Sequence, residues 1–424
     1  MVVVFMAFII LMVFGMPVAF AIGASGVMFF LQRPNLPFTT IVQLPISQTQ
    51  NMAILAIPLF IFAGNLMNAG GVTIRLVHLA TLLTGHLRAG LAQTSVVLST
   101  LMGGVCGSAT ADAAMEARLL GPEMLKRYSK GFTASNIAFS SLITACIPPG
   151  VGLILFGTTG NVSIGRLFAA GLMVGLIMMV VMMLTVNLIA RRRGYQAERA
   201  GRARFREILA SLRQTIWAVM FPVLLLVCIR FGLFTPSEVG GFACFYAIFV
   251  GFFIYRELTW SSLLDAIAMT VKDVGAIMLI IAMSGIFGYG IPIDKIPLRI
   301  TNLMLGITSN GYLIMCMIII LLLILGMFME GAVTIIILTP ILLPLVRSVR
   351  IDPVHLGVLM CMMTTLAVNT PPVGMSMFAV NSILECDLKE YVREMIPFLA
   401  ASVLMVLALA FFPSITLFLP NLLF

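Results

Sequence analysis

The sequence is poor in charge. Of 424 residues only 25 are Lys or Arg and 16 are Asp or Glu, while 61% are apolar. A water-soluble core of this size cannot use so much apolar chain, and several uninterrupted runs reach the length of about 18 residues or more that crosses a bilayer. Histidine is scarce as well: His78, His86 and His355 are scattered, and each reads as solvated or capping, not as a metal ligand. The seven cysteines form no CxxC or other metal-spaced set. Cys106, Cys146, Cys228, Cys244, Cys316 and Cys361 lie in or against apolar runs and Cys386 in a loop, so they read as small buried hydrophobes. No G-x-x-x-x-G-K phosphate loop occurs, which argues against a primary pump. Gly107-Ser108 superficially resembles a buried nucleophile, but no histidine lies within an apolar span to serve as its base, so an enzyme is not expected and no catalytic residue is assigned. No cofactor is expected either. The net charge of +9 resides mostly in short loops between apolar runs, as the positive-inside rule requires, and does not point to nucleic acid.

What is present is a series of apolar runs. They predict an all-α polytopic membrane protein with about nine crossings, near 2–31, 51–70, 131–160, 165–190, 214–231, 237–255, 274–291, 354–381 and 396–420. Met1 leads directly into the first run without a basic start or a clear cleavage site, so that run reads as a retained span. Two stretches, 88–128 and 311–349, consist of two apolar halves meeting at glycines (Gly103, Gly104 and Gly107; Gly326 and Gly331). They read as re-entrant hairpins with tips at mid-membrane. Segments 72–86 and 260–272 are too polar to span. In the second, Leu263, Leu264, Ile267 and Val271 recur opposite Asp265 and Lys272, which fits either an interfacial helix or a surface connector.

A displacement of 223 residues superimposes the halves without a gap: Gly103 falls on Gly326 and Pro148-Pro149 on Pro371-Pro372. The predicted organisation is a first repeat at 1–190, a basic loop with a linker span at 191–236, and a second repeat at 237–424. Five crossings separate the repeats, so they are inverted. The loop from Arg191 to Arg213 is placed in the cytoplasm, together with Arg75, Arg88, Arg118, Lys126, Arg127, Lys130, Arg256, Lys272, Lys389 and Arg393. Arg33, Arg166, Arg230, Lys295, Arg299, Arg347 and Arg350 fall on the opposite side, so the first hairpin opens to the cytoplasm and the second to the outside.

Interrupted helices leave backbone groups unpaired, and in hydrocarbon those groups must be buried or must meet a ligand. Four interruptions are predicted: Gly107-Ser108, Ile147-Pro148-Pro149-Gly150, Glu330-Gly331 and Thr370-Pro371-Pro372-Val373-Gly374. Matching interruptions in inverted halves point to a midplane site where carbonyl ends hold a cation and amide ends an anion. The candidate substrate- or ion-binding residues are Gly107, Ser108, Ala109, Thr110, Pro148, Pro149, Gly150, Glu330, Gly331, Asn369, Thr370, Pro371, Pro372 and Gly374. Sodium is expected at Ser108, Thr110, Asn369, Thr370 and nearby carbonyls, because a hard cation requires oxygen ligands. For Ser108 and Thr110 helix capping is an equal alternative, as it is for Glu330. Asp112 suits the N-terminal dipole of a half-helix, and Thr235-Pro-Ser-Glu238 has the spacing of a capping box.

The run GGVCGSATADAAMEARLLGPEMLKRYSKGF, with CIPPGVGLILFG and SIGRLFAAGLMVGL, resembles the first half of the large membrane subunit of tripartite ATP-independent periplasmic (TRAP) transporters. LGMFMEGAVTIIILTPILLPLV and IDPVHLGVLMCMMTTLAVNTPPVGMSMF resemble its second half. Gly150 stands where that family often has serine, and Glu330 where aspartate is common. The resemblance implies an elevator-type secondary transporter in the bacterial inner membrane, driven by sodium and importing a small organic acid. It also implies two partners, a periplasmic substrate-binding protein and a small four-span membrane subunit. The rival is a stand-alone carrier similar to the divalent-anion/sodium symporters.

Overall fold

The computed structural model describes residues 1–33, 35–50, 52–199, 201–372 and 374–424, and apart from one isolated bridge between Arg88 and Ala197 their regular structure is helical. Asn51, which opens a predicted span, and Val373, in the second Pro-Pro interruption, lie outside the described residues.

The first apolar run is not one span. It forms α1 (Val2–Val13) and α2 (Val18–Leu31), because Gly15 takes a left-handed φ of 79° and Pro17 caps the second helix, breaking the ladder between them. The pair doubles back: Met1 and Phe29 both pack at Gly290, while Phe5 and Phe8 pack their rings on Phe287. Next come α3 (Thr39–Thr49), which the sequence reading did not predict, a 3-10 turn (Met52–Leu55), α4 (Ala56–Ala69) and α5 (Val72–Thr84). The first predicted hairpin contains α6 (Gly90–Cys106), α7 (Ala109–Leu119) and α8 (Gly121–Leu125). The first Pro-Pro span contains α9 (Lys130–Ser140), α10 (Leu142–Cys146) and α11 (Val151–Gly160), bent by 43° at the break. The first half closes with α12 (Ile164–Arg193).

The second half opens with α13 (Phe205–Arg230), which starts well inside the predicted basic loop, and α14 (Pro236–Phe249). The predicted capping box of Thr235 and Glu238 is formed at its start. α15 (Trp260–Ile293) runs unbroken through both the predicted polar segment 260–272 and the predicted span 274–291. The sequence reading separates 260–272 as too polar to span, on Asp265 and Lys272, but nothing there removes a helical hydrogen bond. At about 1.5 Å per residue its 34 residues reach about 51 Å, so 260–272 is neither a separate interfacial helix nor a connector. Within it Leu264, Ile267 and Val271 are exposed, and Ala266 and Thr270 face the core. Then follow α16 (Ile296–Ile307), α17 (Gly311–Gly326), α18 (Gly331–Ser348), α19 (Pro353–Ala367), α20 (Met375–Leu384) and α21 (Leu388–Phe411). Pro413 opens a separate α22 (Pro413–Leu423), so the predicted span 396–420 ends early.

Among the described residues seven helices are long and apolar enough to cross a membrane, and the bent Lys130–Gly160 pair would be an eighth. α18 is one of the seven, whereas the sequence reading makes 311–349 a hairpin of halves too short or too interrupted for full spans. His355 is buried with Nδ1 2.6 Å from the Thr416 hydroxyl, which replaces the solvated or capping reading of that residue.

Displaced by 223 residues, α5 falls on α16, α6 on α17, α7 with α8 on α18, α9 with α10 on α19, α11 on α20 and α12 on α21, with starts agreeing to a residue or two. α3 and α4 together fall on α15. The packing is reciprocal: α7 meets α20 as α18 meets α11, and α9 meets α21 as α19 meets α12. α1 precedes and packs on α2 as α13 precedes and packs on α14. Among the described residues the arginine and lysine ion pairs keep the two predicted sides apart, whereas the Met1 amino group, which a single span 2–31 would place across from Arg33, meets Asp294 at 2.6 Å beside Arg33 because the first run doubles back. Arg75 meets Glu257 at 2.7 Å and Arg193 meets Glu394 at 2.6 Å at one end. Arg166 meets Asp352 at 3.3 Å, and Arg33 meets Asp294, at the other.

Close backbone approach holds the interruptions together. The Val151 amide donates to the Gly107 carbonyl at 3.3 Å, and Gly107 has a left-handed φ of 62°. A Cβ on Gly107 would sit inside contact distance of the Pro149 carbonyl oxygen. Gly107→Ala is therefore expected to destabilise the protein by more than about 1 kcal/mol, through both backbone strain and the clash. Thermal unfolding of the purified variant measures this, and an unchanged midpoint would refute the close packing of the two interruptions.

Candidate functional site

The interruptions surround a cavity of about 590 Å³. Four helix N-termini contribute to its lining: α7 through Ala109, Thr110 and Ala111, α11 through Val151 and Gly152, α18 through Gly331 and Ala332, and α20 through Met375. The first amides of a helix have no intrahelical partner and carry the positive end of the dipole, so these ends favour an anion. The C-terminal turns of α6, α10 and α19 contribute Cys106, Ala145, Thr364 and Thr365, and such turns bring carbonyl oxygens of the opposite polarity. One cavity thus offers both kinds of backbone end.

Ser108 occupies the N-cap position of α7 with extended backbone, and Glu330 the same position of α18. Neither side chain makes a capping hydrogen bond, so both remain available at the cavity wall. Their capping alternative is not realised. The Thr110 hydroxyl lies 2.8 Å from that of Ser376, at the first turn of α20, joining two of the four N-termini.

Of the residues singled out from the sequence, Gly107, Ser108, Ala109, Thr110, Glu330 and Gly331 line this cavity together. Pro148, Pro149, Gly150, Asn369, Thr370, Pro371, Pro372 and Gly374 are not in its lining. Several of them make the joints behind it. Asn369 Nδ2 donates to the Ala138 carbonyl at 2.9 Å, and the Asn369 carbonyl accepts from the Tyr391 hydroxyl at 2.9 Å. The Thr370 hydroxyl donates to the Ala367 carbonyl at 2.7 Å. Asn369 is fully buried and its Oδ1 has no partner among the described residues, which leaves one oxygen free at this joint.

The far wall was missed. α4 supplies Ile61, Gly64 and Asn65, and α15 supplies Lys272, Asp273, Ala276 and Ile277. Gly64 brings α4 onto the end of α6, where a Cβ would lie 2.5 Å from the Val105 carbonyl. The sequence reading counts Lys272 with the cytoplasmic charges and does not single out Asp273. Two adjacent charges inside an otherwise apolar helical run were the available signal. Behind α7 the structure also collects a buried carboxylate pair. Asp112 accepts from Thr144 at 2.6 Å, and Glu116 accepts from Ser95 at 2.5 Å and Ser99 at 2.8 Å. The spacing of Asp112 and Glu116, four apart on one helical face and matched by Ser95 and Ser99 on α6, could have revealed it.

Residues 5–415 match the family described as "Tripartite ATP-independent periplasmic transporter, DctM component". The 2,3-diketo-L-gulonate TRAP transporter large permease protein YiaN of Escherichia coli K12 is 32% identical over 95% of this chain and 94% of its own length. The sialic acid TRAP transporter large permease protein SiaM of Vibrio cholerae is 31% identical over 96% of this chain and 95% of its own. The isethionate TRAP transporter permease protein DctMQ of Oleidesulfovibrio alaskensis is 32% identical over 97% of this chain, which spans only 65% of that longer protein. A solved structure of Neisseria gonorrhoeae MtrF, described as illuminating a class of antimetabolite efflux pumps, superposes with a TM-score of 0.53. It shares 12% identity over 88% of this chain and 83% of that one, a likeness of fold alone. With apolar spans, paired interruptions and matching relatives in agreement, the chain is a multi-pass inner-membrane transport protein, not an enzyme, and belongs to the DctM family of large permeases of tripartite ATP-independent periplasmic transporters.

Proposed function

We propose that this chain takes up a small organic acid across the inner membrane by sodium-coupled symport, receiving it from a periplasmic binding protein and working with a small four-span membrane subunit. The observation that carries this reading is the single cavity at which helix N-termini and C-termini from both halves converge. N-termini suit a carboxylate and carbonyl ends suit sodium. Relatives named for 2,3-diketo-L-gulonate, sialic acid, C4-dicarboxylate and isethionate all handle small organic acids. Relatives of about this length are called large permeases, and one called simply a permease is longer, which supports a separate smaller subunit here.

The repeats at 1–190 and 237–424 run inverted through the bilayer about the linker at 191–236. The stretches 88–128 and 311–349 are the re-entrant gates. The two gates and the two Pro-Pro helices move together as an elevator past a scaffold that includes α4 and α15.

Three outcomes test this reading. Proteoliposomes holding the chain alone, with a sodium gradient and free substrate, are expected to show at most a small fraction of the uptake of the complete three-component system; equal rates would refute the need for partners. Ser108→Ala and Thr370→Ala are each expected to raise the sodium concentration for half-maximal uptake, and unchanged sodium activation in both would rule out side-chain ligation. Ala109→Cys and Ala332→Cys, in a background lacking the seven native cysteines, are expected to change their labelling by impermeant thiol reagents in opposite senses from the two sides as sodium and substrate are varied. Constant labelling from one side under every condition that supports uptake would exclude alternating exposure.

A further inference from the structure

The cavity lining holds three charged side chains, and only one is a cation: Lys272, with Asp273 beside it on α15 and Glu330 at the tip of α18. Among the described residues none of the three side chains takes part in an ion pair or a hydrogen bond. Lys272 and Asp273 are exposed where they line the cavity and Glu330 is half-buried, so all three are open to a ligand that enters it. Among the uncharged polar groups of the lining, Asn65 has a fixed orientation. Thr270 donates its hydroxyl proton to the Ala266 carbonyl at 2.7 Å, so its oxygen accepts from Asn65 Nδ2 at 3.0 Å. That bond fixes the amide orientation and leaves Asn65 Oδ1 as an acceptor at the wall.

Resting on the transport reading above, we infer that Lys272 receives the single anionic group of the substrate, and that Asp273, Glu330 and Asn65 receive its hydroxyl or amino donors. The substrate class is thus a hydroxylated or aminated monocarboxylate. A lysine ammonium and the neighbouring N-terminal amides serve one carboxylate well. A second carboxylate would have to lie against Asp273 or Glu330, and like charges at close quarters select against it. A plain fatty acid would leave the acceptors unpaired and desolvated. The volume of about 590 Å³ is in the range of pockets that enclose small polar ligands.

Binding to the full chain in lipid nanodiscs, with the small subunit included where it co-purifies, tests this with four probes at fixed sodium: D-glycerate, D-gluconate, propionate and succinate. A hydroxylated monocarboxylate is expected to bind at least about tenfold more tightly than propionate or succinate. Lys272→Gln is expected to lose about tenfold or more in that affinity, Lys272→Arg to retain most of it, and Asp273→Asn to narrow the discrimination against succinate. Thermal unfolding without ligand, unchanged in each variant, separates these effects from misfolding. Succinate binding best, none of the four binding, or Lys272→Gln binding like the parent protein each overturns the inference. The transport reading stands or falls separately, on whether the complete system carries any organic acid.

Discussion

The rest of the structure depends on one constraint, that a backbone interrupted inside a bilayer must still satisfy its hydrogen-bonding groups. This chain interrupts its helices at four matched places and meets the constraint by packing the interruptions against one another. Gly107 offers its carbonyl to the Val151 amide, so the first tip closes on the first Pro-Pro break. Ser376 donates its amide to the Val368 carbonyl across the second break. Thr110 and Ser376 then join the two halves through their hydroxyls, and Asn369 reaches across to Ala138. Glycine is required wherever this brings backbone onto backbone, as at Gly64 against Val105 and Gly107 against Pro149.

Helix ends alone are not selective. They present dipoles to any anion or cation that fits, whereas selectivity needs groups placed on one side of the ligand and withheld from the other. Apart from Glu330 at the tip of α18, those come from α4 and α15, which carry no interruption at the level of the cavity and form its other wall. The functional reading of the molecule is accordingly divided between a cluster that supplies fields and a wall that supplies side-chain charge.

The sequence made the interruptions legible because glycine at a tip and paired proline within an apolar run have no cheaper explanation when they recur at one displacement. The same pattern revealed which residues gather at the tips. What escaped had a common cause, the use of charge and hydropathy as substitutes for hydrogen bonding. Val2 to Leu31 is uniformly apolar, so nothing in its hydropathy revealed the turn at Gly15 and Pro17. α15 was cut in two because Asp265 and Lys272 made 260–272 too polar to span, yet neither residue breaks a helix. α3 went unnoticed because Thr, Gln and Ser dilute its hydropathy. Glu116 attracted no attention, although its spacing from Asp112 matches that of Ser95 and Ser99, because Asp112 was read alone as a complement to the helix dipole.

The two halves agree in backbone but not in charge, and the disagreement bears on how such a site becomes specific. Displaced by 223 residues, Lys272 corresponds to Thr49, Asp273 to Gln50, Glu330 to Gly107 and Asn65 to Gly288. Each ionisable residue of the lining therefore has an uncharged counterpart in the other half. A strictly repeated chain would close a cavity between like halves and offer a ligand the same groups from both sides, which suits a small symmetric ion and little else. Breaking the repeat at the lining, while keeping it at the interruptions, leaves the frame intact and makes the two walls different. The carboxylate pair at Asp112 and Glu116 departs in the same way, with Ile335 and Thr339 in the corresponding places on α18. Duplication thus accounts for where the cavity is, and the residues that depart from it account for what the cavity can distinguish.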